Sequence, residues 1–300
     1  MVKTLSELYL DARRAFMERE NEQYAGLLAR NLLCHATGRP YEAVIADGTS
    51  YASKEVCAAM EAGVQRVLSG EPLAYVLGQW DFYGMTLFID RNVLIPRDDT
   101  CAVTDLAIKQ ARTIPGSPRI MDLCTGSGCI GLAVASCVKN AQVLLADLSC
   151  DALAVAKKNV AAQSLSHSVS CMQIDALGEP SPSLGEFDLI VSNPPYITTE
   201  EMEQLEESVK DYEPHMALHG GADGLLFYRA IVSNFRQVLK PGGCLCLEFG
   251  MGQGDAVCAL LEENGYTVLE RSSDYNEIER AVIARYDRKE DGYGDKKNSV

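Results

Sequence analysis

The sequence has one tryptophan, four histidines and eleven cysteines among 300 residues, and none of them gathers into a recognisable cluster. The cysteines are odd in number, scattered and never spaced Cys-x-x-Cys, which argues against a disulfide framework or a zinc module and fits a reducing cytoplasm. Basic residues reach only short pairs such as Arg13-Arg14 and Lys157-Lys158, and the net charge is -15. No basic surface is therefore expected to neutralise long stretches of nucleic-acid phosphate. No apolar run has the length of a membrane span. The opening Met-Val-Lys-Thr-Leu-Ser-Glu-Leu has neither the apolar run of a signal peptide nor the acid-poor character of a transit peptide. What the chain does have is 47% hydrophobic content over 300 residues, enough for one sizeable core and a smaller one.

Apolar periodicity predicts helices from residue 4 to about residue 70. Leu5, Leu8, Tyr9, Ala12 and Phe16 form one stripe, and Leu27, Leu28 and Leu32 continue it with Val56, Met60, Val64 and Val67. Residues 1–72 are thus expected to form a small helical domain. Residues 73–92, rich in aromatic and β-branched side chains with Gly84 at a reversal, read as a linking β-hairpin. From about residue 100, strand and helix signals alternate, which implies an α/β domain over 93–286 with a mainly parallel, doubly wound, Rossmann-like sheet. Strands are predicted at 119–124, 142–147, 169–174, 187–192, 243–249, 266–271 and 279–286, the final one antiparallel. Helices are predicted to start near 101, 129, 150, 200, 225 and 253. The charged tail 287–300 reads as disordered.

The run Asp122-Leu123-Cys124-Thr125-Gly126-Ser127-Gly128 follows a predicted strand and opens a helix, with Gly131 one turn on, so backbone N–H groups can approach a nucleotide-like ligand closely. Asp147 ends the next strand about twenty residues later, where a carboxylate can accept from both ribose hydroxyls. This fingerprint is shared by dinucleotide and S-adenosylmethionine folds. Asp122 separates them, because a carboxylate at the mouth of the loop repels a pyrophosphate and attracts the ammonium of a methionine moiety. Asp175, beside Ala176, lies where adenine would sit.

Asn193-Pro194-Pro195-Tyr196 stands at the C-terminal edge of the fourth predicted strand of that domain, where open α/β sheets bind ligands. A conjugated NH2 group is a poor nucleophile and must be held by acceptors. The Asn193 side-chain oxygen offers one and the Pro194 carbonyl another, while the prolines remove competing N–H donors and Tyr196 can stack on the planar group. A sulfonium methyl donor is already activated, so positioning can supply most of the acceleration, on the order of 7–11 kcal/mol in favourable cases. This chemistry suits an amide or an adenine amine equally. A nicotinamide-dependent dehydrogenase satisfies the glycine pattern too but leaves Asn193 to Tyr196 without a task.

These motifs, with Gly70-Glu71-Pro72-Leu73-Ala74-Tyr75, Trp80-Asp81-Phe82-Tyr83-Gly84, Val93-Leu94-Ile95-Pro96-Arg97, Tyr212-Glu213-Pro214 and Gly220 to Leu225, resemble the release factor glutamine N5-methyltransferases (PrmC/HemK type) over nearly the whole chain. The resemblance implies a class I S-adenosyl-L-methionine-dependent enzyme that leaves S-adenosyl-L-homocysteine as product. It implies as substrate the glutamine of the Gly-Gly-Gln motif of peptide chain release factors, methylated around Asn193, Pro194, Pro195 and Tyr196, with the helical domain helping to hold the factor. It also implies cofactor contacts from Asp122, Cys124, Thr125, Gly126, Ser127, Gly128, Asp147, Asp175 and Ala176, with Arg97 and Thr100 at the entrance. A cytoplasmic monomer without metal, membrane or direct nucleic-acid partner is expected. Cys124 stands where the family often has Gly, Asp98 where Pro is common and Cys101 where an acidic residue is usual. The 272–280 segment lacks the family's glycine before its Arg and is given no role.

Three other features have plainer readings. His215 and His219 lie in a loop without a third ligand. Cys244 and Cys246 alternate in an apolar strand as small hydrophobes. The run from Glu200 to Glu207 is expected to be one solvated helix face, with Met202, Leu205 and Val209 turned inward, or else a lid over the substrate.

Overall fold

Thr4 opens the first helix because its hydroxyl accepts from the Glu7 N–H (3.2 Å) while the Glu7 carboxylate accepts from the Thr4 N–H (2.7 Å), a reciprocal cap. In the computed structural model, which describes residues 3–287, this helix α1 (Leu5–Phe16) is followed by α2 (Glu22–Thr37), α3 (Tyr41–Ala46), α4 (Lys54–Leu68) and α5 (Leu73–Leu77). The described residues divide into two compact units: residues 3–80 with 89–91 and 205–213, and residues 81–88 with 92–204 and 214–287.

The first unit packs its helices around Leu5, Leu8, Ala12, Phe16, Leu28, Leu32, Val44 and Met60. The buried face of α2 is Ala25, Leu28, Ala29, Leu32 and Leu33, the spacing of a single helical stripe. Leu27 falls off that stripe and is 41% exposed, against the expectation that it lines the core. The buried Glu71 carboxylate takes a two-pronged grip from Arg66 (2.7 and 2.8 Å) and a further bond from Arg91 (2.8 Å). Those guanidinium groups hold its pKa down at about 2.

The expected hairpin begins later than residue 73. Pro72 caps α5 and Gly78 ends it in the left-handed region (φ 68°), so the intervening residues close a helical turn that buries Ala74, Tyr75 and Val76. The two-stranded sheet is β1 (Gln79–Phe82) with β2 (Met85–Phe88).

The second unit runs α6 (Cys101–Thr113), β3 (Arg119–Leu123), α7 (Cys129–Cys137), β4 (Gln142–Asp147), α8 (Cys150–Ala162), β5 (Val169–Gln173), β6 (Phe187–Ser192) and α9 (Thr199–Gln204). The chain visits the first unit through α10 (Glu207–Lys210) and returns with α11 (Leu226–Asn234), β7 (Leu239–Glu248), α12 (Gly254–Glu263), β8 (Tyr266–Ser273) and β9 (Glu279–Tyr286). The acidic run from Glu200 is therefore two short helices rather than one.

The seven strands lie in the order β5-β4-β3-β6-β7-β9-β8, with β9 antiparallel to both neighbours and the first five strands parallel. This is the predicted α/β architecture. The parallel strands read as apolar runs because both faces are covered: Ile120, Met121, Leu189, Ile190, Val191 and Leu245 are fully buried. β7 begins earlier than predicted, taking in Lys240 to Gly243 through a register shift against β6 between Phe187 and Leu189. The order reverses between β3 and β6, the point at which open α/β sheets bind ligands. Among the described residues no helix is long and apolar enough to cross a membrane. The tail expected over 287–300 lies, beyond Asp287, outside the described residues.

Candidate active site

The register between β3 and β6 pairs Leu123 with Ser192, so the glycine loop and the Asn-Pro-Pro-Tyr loop leave the sheet side by side. Ser192 Oγ donates to the Leu123 carbonyl (2.6 Å) at that point.

The first loop is built on two carboxylates. Asp122 is fully buried behind the loop rather than at its mouth, and its Oδ2 accepts from Thr125 Oγ1 (2.6 Å) and from the Gly131 N–H (2.8 Å). Its Oδ1 is buried without a hydrogen-bond partner among the described residues. Burial pushes this carboxyl up to about 7, against the pull of its two donors. Asp147 uses both oxygens on backbone, accepting from the N–H groups of Gly126 (2.9 Å) and Ser149 (2.9 Å), and burial raises its pKa as well. Cys124, where glycine is the common residue of the family resembled, takes φ 60° as a glycine would. A Cβ on Gly131 would overlap Leu145 and lie 3.0 Å from Asp122, so this helix start can pack only with glycine. Thr125 and Ser127 are buried.

One residue that supports this loop went unnoticed in the sequence. Asn159, fully buried on α8, donates to the Ser127 carbonyl (2.8 Å) and to the Phe88 carbonyl (3.1 Å) and accepts from the Phe88 N–H (2.6 Å). A polar residue on an apolar helix face was its only signal.

Asp175 is exposed and forms a local turn by accepting from the Leu177 N–H (2.9 Å), while Ala176 packs into the main core. Arg97 is exposed, and the following short 3-10 turn, Asp98–Thr100, carries Thr100 into the interior.

In the second loop Asn193 Nδ2 lies 3.4 Å from Thr100 Oγ1, and Pro194 and Pro195 are buried. Gln253 fixes the end of the loop, donating to the Tyr196 carbonyl (3.0 Å) and accepting from the Gly250 N–H (2.9 Å). A Cβ on Gly220 would lie 2.6 Å from Tyr196 Cα, and one on Gly224 would overlap the Tyr196 carbonyl, so the chain must be bare at both positions. Burial raises the Tyr196 phenol well above its ordinary range, so it remains neutral. His219 is occupied with the Thr199 hydroxyl (2.9 Å).

Two further residues here were not anticipated. Glu248, at the end of β7, is 2% exposed, and burial pushes its carboxyl up to about 8. Arg280 on β9, in the segment given no role, pairs with Asp99 (2.9 Å) and Asp274 (2.8 Å). The sequence signal for Glu248 was a lone carboxylate closing an otherwise apolar strand.

Residues 103–215 match the family described as Methyltransferase small domain, and residues 4–78 match the PrmC N-terminal domain. The chain is 37% identical to the release factor glutamine methyltransferase of Geobacter sulfurreducens, covering 92% of this chain and 95% of that protein. It is 39% identical to the same-named protein of Clostridium acetobutylicum, covering 71% and 74%. Among solved structures, the hMettl16 catalytic domain shares the fold at 16% identity and a TM-score of 0.53, over 69% of this chain and 77% of that one. The protein-(glutamine-N5) methyltransferase of Alicyclobacillus acidocaldarius aligns at 27% identity with a TM-score of 0.40, over 64% and 94%.

Proposed function

The chain belongs to the release factor glutamine methyltransferases, and on that premise we propose that it methylates N5 of the glutamine in the Gly-Gly-Gln motif of peptide chain release factors, with S-adenosyl-L-methionine as donor. The observation that supports the site assignment is the adjacency of the two loops: the register pairs Leu123 with Ser192, the residues from which the loops begin, at the point where the strand order reverses.

The residues of the first loop fit the cofactor. The space beside Gly126 is open, Asp147 has lone pairs left for ribose hydroxyls, and Asp122, buried behind the loop, holds Thr125 and the Gly131 N–H in place. Thr125, Ser127 and the Asp175-Ala176 turn complete the cradle, with Cys124 forming its floor and exposed Arg97 its entrance, whereas Thr100 lies inward beside Asn193 and not at that entrance. When bound, S-adenosyl-L-methionine supplies a methyl group on a sulfonium leaving group. The chain's own work is to hold the nucleophile. Asn193 Oδ1 and the Pro194 carbonyl accept the two amide N–H bonds of the glutamine, which aims the nitrogen and returns electron density to it. Tyr196, neutral and fixed by Gln253, stacks on the amide plane. The N–H proton released on forming the new C–N bond leaves to water, so no strong base is required.

The helical domain, residues 1–72, with the linker to residue 92, serves the release factor, and 93–286 the chemistry. The same reading has the enzyme act as a cytoplasmic monomer on protein rather than nucleic acid. The test is transfer from methyl-labelled S-adenosyl-L-methionine to purified release factor, to its Gly-Gly-Gln Gln→Ala variant and to nucleic acid. Label on the wild-type factor alone is expected; label on nucleic acid in its place would move the enzyme to the adenine-N6 class.

A further inference from the structure

Glu248 ends β7 as a carboxylate that is almost wholly buried, and its Oε2 has no hydrogen-bond partner among the described residues. An arrangement so costly persists where something depends on it. Register shows what lies beside it. Leu189 pairs with Cys244, Val191 with Cys246 and Ser192 with Leu247, so one residue further along the parallel strands Asn193 and Glu248 are neighbours on the same face. That face looks toward α6, because Cys246 Sγ on it reaches the Val103 carbonyl (3.7 Å). Thr100, just before α6, completes a triangle: its hydroxyl lies 3.4 Å from Asn193 Nδ2, and both the Thr100 and the Asn193 side chains act as donors toward the Glu248 carboxyl.

A side-chain amide has two ends, and methyl transfer needs a particular one outward. An ionised carboxylate only accepts, so it draws the NH2 end of Asn193 inward and leaves Oδ1 facing the substrate. We propose that Glu248 is a positioning residue for methyl transfer, fixing the Asn193 amide, together with the Thr100 hydroxyl, in the orientation that presents Oδ1 to the glutamine. The inference rests on the methyltransferase reading of this site.

A protonated Glu248 has an O–H to donate and no longer dictates that orientation. The groups that act on its charge are Asp99, Cys101, Cys129, Tyr196, Tyr228 and Arg280. The thiols and phenols are themselves raised by burial and stay neutral, and the Asp99 charge is matched by Arg280 at 2.9 Å. Burial then dominates, which is why this carboxyl is pushed up to about 8. The orienting form gains population as pH rises through that value.

The test is steady-state methyl transfer from labelled S-adenosyl-L-methionine to purified release factor, from about pH 6 to about pH 9.5, for wild type, Glu248→Gln and Glu248→Leu. For wild type, kcat is expected to rise through an inflection near pH 8. Glu248→Gln keeps a carbonyl acceptor for Asn193 and is expected to retain kcat within about ten-fold while losing the inflection. Glu248→Leu is expected to lose about a hundred-fold in kcat, with KM for S-adenosyl-L-methionine little changed. If Glu248→Leu does not fold, the Glu248→Gln profile decides. An inflection unaltered in Glu248→Gln overturns the inference alone; absence of transfer by wild-type enzyme overturns the reading beneath it as well.

Discussion

Glu71 and Glu248, two of the buried glutamates and from different units, are treated in opposite ways. Glu71 in the helical unit is 5% exposed, is held by Arg66 and Arg91, and stays ionised with its pKa at about 2. Glu248 in the sheet unit is 2% exposed, keeps one oxygen without a partner and is pushed up to about 8. Both are shielded from solvent, but Glu248 lies deeper among protein atoms and its partners differ too, so depth and partner act together. Opposite charge within hydrogen-bond distance outweighs desolvation at Glu71, whereas at Glu248 the donors are neutral and desolvation wins. The first arrangement ties Glu71 to Arg66 and Arg91; the second leaves a carboxyl oxygen without a hydrogen-bond partner among the described residues.

The comparison is sharpened most by the site itself. Asn193→Ala is expected to lower kcat about a thousand-fold with thermal midpoint and cofactor affinity little changed, read by kinetics, calorimetry and scanning fluorimetry. An equal loss in stability would mean that the sheet unit's polar groups are structural like Glu71. Gly131→Ala comes next, since its added methyl overlaps Leu145 and crowds Asp122. Overpacking of this kind costs about 1–3 kcal/mol, and S-adenosyl-L-methionine affinity is expected to fall roughly ten-fold or more by titration calorimetry.

Glu71→Gln tests the other side of the comparison. It removes the charge between two partly exposed arginines, so a stability loss of about 1–3 kcal/mol is expected in chemical unfolding, with kcat of the folded enzyme unchanged. The pH dependence of wild-type stability tests both sides of the comparison at once. Glu71 has a lowered pKa, so its contribution is present above its ordinary value of 4.5 and is lost as pH falls toward about 2. Asp122 and Glu248 have raised values, so their contributions are present below their ordinary 3.8 and 4.5 and are lost as pH rises through about 7 and about 8. Glu71→Gln should flatten the acid limb of the melting-temperature profile and Glu248→Gln the alkaline limb. Exchange of those two outcomes would reverse the comparison.

Much of the fold was legible in the sequence. The strands Phe187–Ser192 and Glu279–Tyr286 fall where apolar runs placed them, and the helix starts at 101, 129 and 150 coincide with those read from the pattern. Such elements announce themselves because the whole local run agrees with its environment. α5 did not, because Leu73 to Leu77 would suit a strand and only Pro72 before it and Gly78 after it close a turn. Leu27 is exposed because the stripe of Ala25, Leu28, Ala29, Leu32 and Leu33 leaves position 27 on the opposite side of the helix.

The site divides in the same manner. The glycine loop, Asp147 and Asn193 to Tyr196 are contiguous motifs whose residue types carry their chemistry with them. Asn159, Glu248 and Arg280 are single polar residues whose partners lie far away along the chain. The order of residues alone settled that the chain forms a parallel α/β sheet with a glycine-rich turn and an Asn-Pro-Pro-Tyr edge, because periodicity and turn chemistry are local. Only the tertiary structure decided that β7 lies beside β6 with Ser192 opposite Leu247, and hence that a carboxylate sits next to Asn193. Register between distant strands follows from the packing of both faces at once, and no local run encodes it.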